Sequence, residues 1–227
     1  MDTVKAWSVL NNFHYQFIDD ELFEFVPTEL LEKIKTQWVI ATDLARIKVM
    51  WSFLNRGYER VVWCDADFLI FDSKGFVLPG KLYALGREVW IQESANNPGK
   101  LVARVKVHNA FLLFCQHNVF LDFYIDTAER LLLKNSGSML PQFIGPKFLT
   151  AIHNVVQCPV LETAGMLSPL VINDIVVGAG SALTLFRQRS TQPIAAANLC
   201  SSLCAGDSLS TSRIETVIEQ LLRKWVA

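Results

Sequence analysis

The stretch RVVWCDADFLIF, Arg60 to Phe71, sets two carboxylates, Asp65 and Asp67, one residue apart inside an otherwise apolar run. A core strand has no use for such a pair, because each uncompensated buried charge is expensive. Residues i and i+2 of an extended segment project to the same side. The two side chains can therefore converge on one cation, with the small Ala66 leaving room between them. Hard oxygen ligands with no His or Cys beside them suit Mg2+ or Mn2+ rather than zinc. Two carboxylates leave coordination positions open for water and phosphate oxygens. The chemistry that follows is charge neutralisation on a departing diphosphate. Two other uses compete. The pair can be the solvated acidic end of a strand. It can also supply the nucleophile and general acid of an aspartate phosphatase, although that pattern usually continues with Thr or Val where Leu69 stands.

The elements that must position the pair are readable around it. Thr42 is placed to cap a helix whose Leu44, Ile47, Trp51 and Leu54 form one apolar stripe, and Gly57 follows as its stop. Residues 61–64 then form a β-branched and aromatic run of strand length, as expected of a strand buried on both faces. Upstream, Thr3 to Asn11 reads as a short helix and Tyr15 to Ile18 as a strand ending at Asp19 and Asp20. PTELLEKIKTQ reads as a helix capped by Thr28. Downstream come a strand from Val105 to Cys115, a helix from about Val119 to Lys134, and a helix in GPKFLTAIHN with Pro146 in its first turn. Ile214, Val217, Ile218, Leu221, Leu222 and Trp225 make a last amphipathic helix, opened by a Ser212…Glu215 capping box. Strands alternating with helices predict an α/β fold with a largely parallel sheet, in which ligands bind beyond the carboxyl ends of the strands.

Composition narrows the classes. At 227 residues with 51% apolar and 19% charged residues, the chain reads as one well-filled domain over 1–227. A net charge of −1 argues against a nucleic-acid partner. Five scattered cysteines, an odd number, fit buried reduced thiols better than a disulfide framework, and Cys200 and Cys204 have no second pair to complete a zinc site. His14, His108, His117 and His153 each read as structural or surface groups. The N-terminus lacks the pattern of a signal peptide, and the longest apolar stretch, Leu161 to Phe186, is interrupted by Glu162, Asn173 and Asp174. The expectation is a cytoplasmic protein, with peripheral membrane association left open.

TDLARIKVMWSFLNRGYERVVWCDADFLIF, Thr42 to Phe71, resembles the DXD-containing sugar-binding-region glycosyltransferases, family thirty-two. Their pattern is an Asp, an Arg three residues on, a helix, a glycine-containing turn and a hydrophobic strand ending in DXD. VKAWSVLNNFHYQFIDDE upstream, and HNAFLLF and GPKFLTAI downstream, are similar to further segments of that family in the right order, so the likeness spans Val4 to His153. The resemblance implies a GT-A, Rossmann-like, mostly parallel sheet flanked by helices, and transfer of a sugar from a nucleotide-sugar to a glycan or lipid-linked acceptor. By the same resemblance Asp65 contacts the donor's ribose or sugar and Asp67 ligates the metal, Mn2+ or Mg2+. Asp43 and Arg46 hold the nucleotide-sugar together with Ala66. Asn109 and the Gly145-Pro146 turn lie near the transferred sugar or the acceptor. Retention of anomeric configuration, which needs no dedicated base, is implied too; Asp174 and Glu93 are the acids to test if a base proves necessary.

Each assignment has a structural counterpart. Asp43 and Arg46 can pair as i,i+3 neighbours near a helix start, Asn109 can satisfy a nearby backbone group, and Gly-Pro is common helix-start chemistry. Two departures from the family also stand out. The sequence opens almost at the first helix, so the family's first, nucleotide-binding strand is expected to be lacking or the chain to be a fragment. No His follows His153, so the late metal ligand of many relatives would have to be replaced by Asn198 or Asp207. These departures keep a competing reading open: a nucleotide-sugar or glycan-binding relative without turnover.

Overall fold

The computed structural model describes residues 1–34, 36–201 and 211–226. Helix α1 (Asp2–Leu10) is held at its buried Trp7, whose indole N–H donates to the Phe76 carbonyl at 3.0 Å. A 3-10 turn (Asp20–Phe25), α2 (Thr28–Ile34) and α3 (Trp38–Asn55) follow. Between α1 and the 3-10 turn, Tyr15 to Ile18 belongs to no strand, contrary to the sequence expectation. Its strand-like pattern meets no sheet edge, and a strand exists only where a ladder accepts it. Helix α3 also starts earlier than expected. Thr42 lies inside it and its hydroxyl donates back to the Trp38 carbonyl at 2.9 Å, one turn before. Leu44, Ile47 and Leu54 are buried as expected; Trp51 is 43% exposed and donates to Asp122.

Strand β1 (Arg60–Cys64) leads through a turn into β2 (Phe68–Ile70). Strands β3 (Tyr83–Ser94) and β4 (Asn97–Cys115) form a long hairpin joined at Ala95 and Asn96. Helices α4 (Val119–Lys134) and α5 (Pro146–Val156) come next, the first capped by Asn118 and the second opening on Pro146. Then follow β5 (Val160–Leu161), β6 (Ala164–Met166), α6 (Pro169–Val177), α7 (Ser181–Arg189), β7 (Ala196–Asn198) and α8 (Thr211–Val226). Helix α8 already includes Ser212, which therefore lies within the helix and not at its cap.

The class is mixed α/β, with two mixed sheets ordered β1-β4-β3-β5 and β2-β7-β6. The largely parallel sheet expected from the sequence is not what the described pairs form. β1/β4, β3/β4 and β2/β7 are antiparallel, and only β3/β5 and β6/β7 are parallel. The reason is the β3–β4 hairpin, whose two-residue connection forces neighbours to run in opposite directions.

Alternation along β1 decides what lies on each face. Val61 and Trp63 pack with α3, α4 and α5 around Leu44, Ile47, Leu112 and Phe114. Val62 and Cys64 face the other way, toward Trp7, Phe68 and Phe111. A third cluster sets β2, β3 and β7 against α6, α7 and α8. Buried His108 ties the sheets together: its Nε2–H donates to the Ala164 carbonyl at 3.1 Å and its Nδ1 accepts the Ala110 N–H at 3.2 Å. Among the described residues no single helix is long and apolar enough to cross a membrane.

Candidate functional site

The acidic pair does not sit on an extended segment. The Phe68 N–H donates to the Asp65 carbonyl at 2.9 Å, closing a turn over Asp65, Ala66 and Asp67 between β1 and β2. The same-side argument from strand geometry therefore gives way to turn geometry. Both carboxylates remain half-buried and Ala66 is exposed.

Different elements hold the two carboxylates. Asp65 Oδ1 accepts the Trp63 indole N–H at 2.6 Å and lies 3.4 Å from an Arg46 guanidinium nitrogen. Asp67 Oδ1 accepts from the Asn198 amide at 2.5 Å, and its Oδ2 accepts both the N–H and the hydroxyl of Ser201, at 2.8 and 2.9 Å. Asn198 is thus beside the pair, but as a donor; its own Oδ1 takes the Cys200 N–H. An amide that donates to Asp67 while its oxygen faces the backbone is not placed as an oxygen ligand. Asp207 lies outside the described residues.

Behind Asp65 is a buried cluster of residues far apart in the chain. Arg46 reaches the Asn109 carbonyl at 2.7 Å and lies 3.6 Å from Asp43 Oδ1, which also accepts the Asn109 amide at 2.7 Å. The Arg46 guanidinium further stands over the Trp63 ring, 5.6 Å from its centroid. Gly145 closes the cluster: a Cβ there would lie 2.2 Å from Asp43 Oδ2 and 3.0 Å from Asn109 Nδ2. Only glycine leaves that space, and Pro146 then starts α5 from it.

The charges are mutually dependent. Burial raises the pKa of Asp43 to about 6; Arg46 and the Asn109 amide pull it down, and nearby Asp65 pushes it up. Asp65 is likewise raised, chiefly by burial, against the pull of Arg46 and the indole N–H. Burial works against the Arg46 charge, but Asp65 and Asp43 outweigh it and bind its proton more tightly than usual. Asp43 Oδ2 and Arg46 Nε have no hydrogen-bond partner.

A cavity of about 420 Å3 lies between the N-terminal segment, one face of α3 and β1, with Arg46, Asp65 and Ala66 in its wall. Its walls are largely apolar and aromatic, with Phe13, Tyr15, Phe53 and Tyr58 among them, which suits a small-molecule site with a few polar groups at one end. It lies alongside β1, whose one strand partner among the described residues is β4. Asp67 is not part of its wall, and neither are Asp174 and Glu93. Asp174 accepts the Leu183 N–H at the start of α7, and Glu93 is exposed near the hairpin end.

The oxygens left to a metal are Asp65 Oδ2, without a partner among the described residues, and the unused lone pair on Asp67 Oδ1. Two hard oxygens fit Mg2+ or Mn2+ completed by water and phosphate. Among the described residues no three His, Cys, Asp or Glu side chains gather as a fuller cage.

Sequence reasoning found Asp43, Arg46, Asp65, Asn109 and Gly145, and the structure brings all five together. It missed Trp63 and Ser201. Trp63 was open to the two-residue alternation that sets it on the face of β1 next to Asp65; Ser201 carried no signal. No protein-family model matches the chain, and no curated protein or solved structure matches it.

Proposed function

We propose that this chain is a metal-dependent glycosyltransferase of GT-A type, moving a sugar from a nucleotide-sugar donor to a glycan or lipid-linked acceptor with retention. One observation carries the reading. Residues drawn from four separate segments of one motif pattern, Asp43 and Arg46, Asp65, Asn109, and Gly145, meet in a single cluster that reaches the wall of an open cavity through Arg46 and Asp65. A chance D-x-D gives no reason for that convergence.

Asp65 Oδ2 and Asp67 Oδ1 would hold the Mg2+ or Mn2+, whose contribution is charge neutralisation on the departing diphosphate. Arg46 favours the charged form of Asp65 against the effect of burial and fixes one of its oxygens, and Asp43 with Asn109 fixes Arg46. The cluster is a preorganised support, so that catalysis rests on positioning and electrostatics and not on a dedicated base. The apolar cavity beside Ala66 would take the donor's less polar part. A screen of nucleotide-sugars for Mn2+-dependent hydrolysis tests this reading; no turnover and no donor binding would refute it.

A second reading, a nucleotide-sugar or glycan-binding protein without turnover, draws on the engagement of both Asp67 oxygens by Asn198 and Ser201. Calorimetry with UDP- and GDP-sugars separates the two. Donor binding that requires Mn2+ favours the enzyme, and metal-independent binding favours the second reading.

A further inference from the structure

The geometry points to Trp63 as the positioning residue that decides which oxygen of Asp65 is offered to the cation and donor. Trp63 lies near the end of β1, and Asp65, two residues on, opens the turn that follows it. The indole N–H donates to Asp65 Oδ1 at 2.6 Å, a short bond of the charge-assisted kind. Arg46 approaches the same oxygen at 3.4 Å, so both donors occupy Oδ1 and leave Oδ2 without a partner among the described residues. The same indole presents its ring to the Arg46 guanidinium at 5.6 Å. One side chain thus orients both members of the ion pair. Trp63, Arg46 and Asp65 all line the cavity, so this orientation is set at its wall and not deep in the core. Without the indole N–H the carboxylate is free to rotate, placing both oxygens against Arg46 and neither toward the turn at Ala66. The role rests on the glycosyl-transfer reading, while the contact itself does not.

The test uses the full chain and the conservative variant Trp63→Phe, which keeps one aromatic ring beside Arg46 and removes the N–H donor. Manganese binding is followed by the resonance of free Mn2+ in the presence of UDP-glucose or GDP-mannose. Affinity in Trp63→Phe is expected to fall about 10-fold or more, the range for losing a group that orients a ligating side chain. A second measurement needs no metal and no tryptophan variant: the indole N–H resonance of Trp63 should move upfield in Asp65→Asn and stay in place in Asp67→Asn. Metal binding by the wild type with Trp63→Phe indistinguishable from it overturns the positioning role alone. So does an indole resonance indifferent to Asp65→Asn. A wild type that binds neither Mn2+ nor donor, with the indole resonance responding as expected, overturns the glycosyl-transfer reading and the role of Trp63 with it.

Discussion

Replacing Gly145 by alanine tests the buried cluster without touching a charged group. The new Cβ would stand 2.2 Å from Asp43 Oδ2 and 3.0 Å from Asn109 Nδ2. The backbone at Gly145 has φ −92, outside the left-handed region that favours glycine, and the steric clash is the cost followed in this test. Asp43 cannot retreat easily, because its other oxygen is bonded to Asn109 and faces Arg46. Overpacking of this kind costs about 1–3 kcal/mol. In an Asp43→Ala background the obstructing carboxylate is gone and only the milder approach to Asn109 remains. The cycle of single and double variants should therefore show a coupling of about 1–3 kcal/mol in the direction of relief. Urea midpoints at constant slope measure it, and each kcal/mol corresponds to about 2–4 °C in Tm for a chain of this size. Additivity within about 0.5 kcal/mol would mean that Gly145 and Asp43 do not touch, and the cluster as described would be wrong.

Other expectations follow from the same contacts. Arg46→Met leaves Asp43 and Asp65 buried without their cation, a loss of about 3–5 kcal/mol that thermal denaturation would register as a large fall in Tm. Asp43 has a folded pKa of about 6 against an ordinary 3.8, so its contribution is full below 3.8 and is lost as pH rises through about 6. Relative to wild type, Asp43→Asn should gain about 3 kcal/mol of stability between pH 3.8 and 7.5, at about 1.4 kcal/mol per pH unit of difference; parallel urea curves would contradict this. Buried His108 has the opposite sense. Its folded pKa of about 4 lies below the ordinary 6.5, so stability is complete above 6.5 and about 3 kcal/mol is lost as pH falls to 4. His108→Gln should flatten that acid slope in urea titrations, whatever its effect at neutral pH.

What could be read from the sequence was mostly what is local. The span of α4, the strand before the acidic pair and the Pro146 start of α5 carry their own signals in periodicity and caps, and they appear where expected. The meeting of Asp43, Arg46, Asn109 and Gly145 was legible only through the order of motif segments, since no local rule links residues a hundred positions apart. Thr42 misled because a threonine that can cap a helix can equally bond one turn back inside it. Strand β3 and the first half of β4 were hidden because Asn97, Pro98 and Gly99 are loop-forming types, although they belong to β4 at the exposed end of a hairpin, where Asn97 pairs with Ser94 and the next residues bulge. Tyr15 to Ile18 showed the converse: strand composition with no edge to join. The acidic pair was assigned the two-residue period of a strand, but the bond from Phe68 to Asp65 bends it into a turn; Asn198, expected there as an oxygen ligand, is a donor to Asp67, and Ser201 carried no signal.

The central claim is that the carboxylates on either side of Ala66 support a divalent ion that grips a nucleotide diphosphate. The direct measurement is nucleotide-sugar binding and hydrolysis with and without Mn2+ in wild type, Asp65→Asn and Asp67→Asn, the amides preserving side-chain volume in each case. The account predicts metal-dependent binding and hydrolysis in the wild type, both lost in each variant while the urea transition stays cooperative. Donor turnover that is indifferent to Mn2+, or unchanged in either variant, would contradict it.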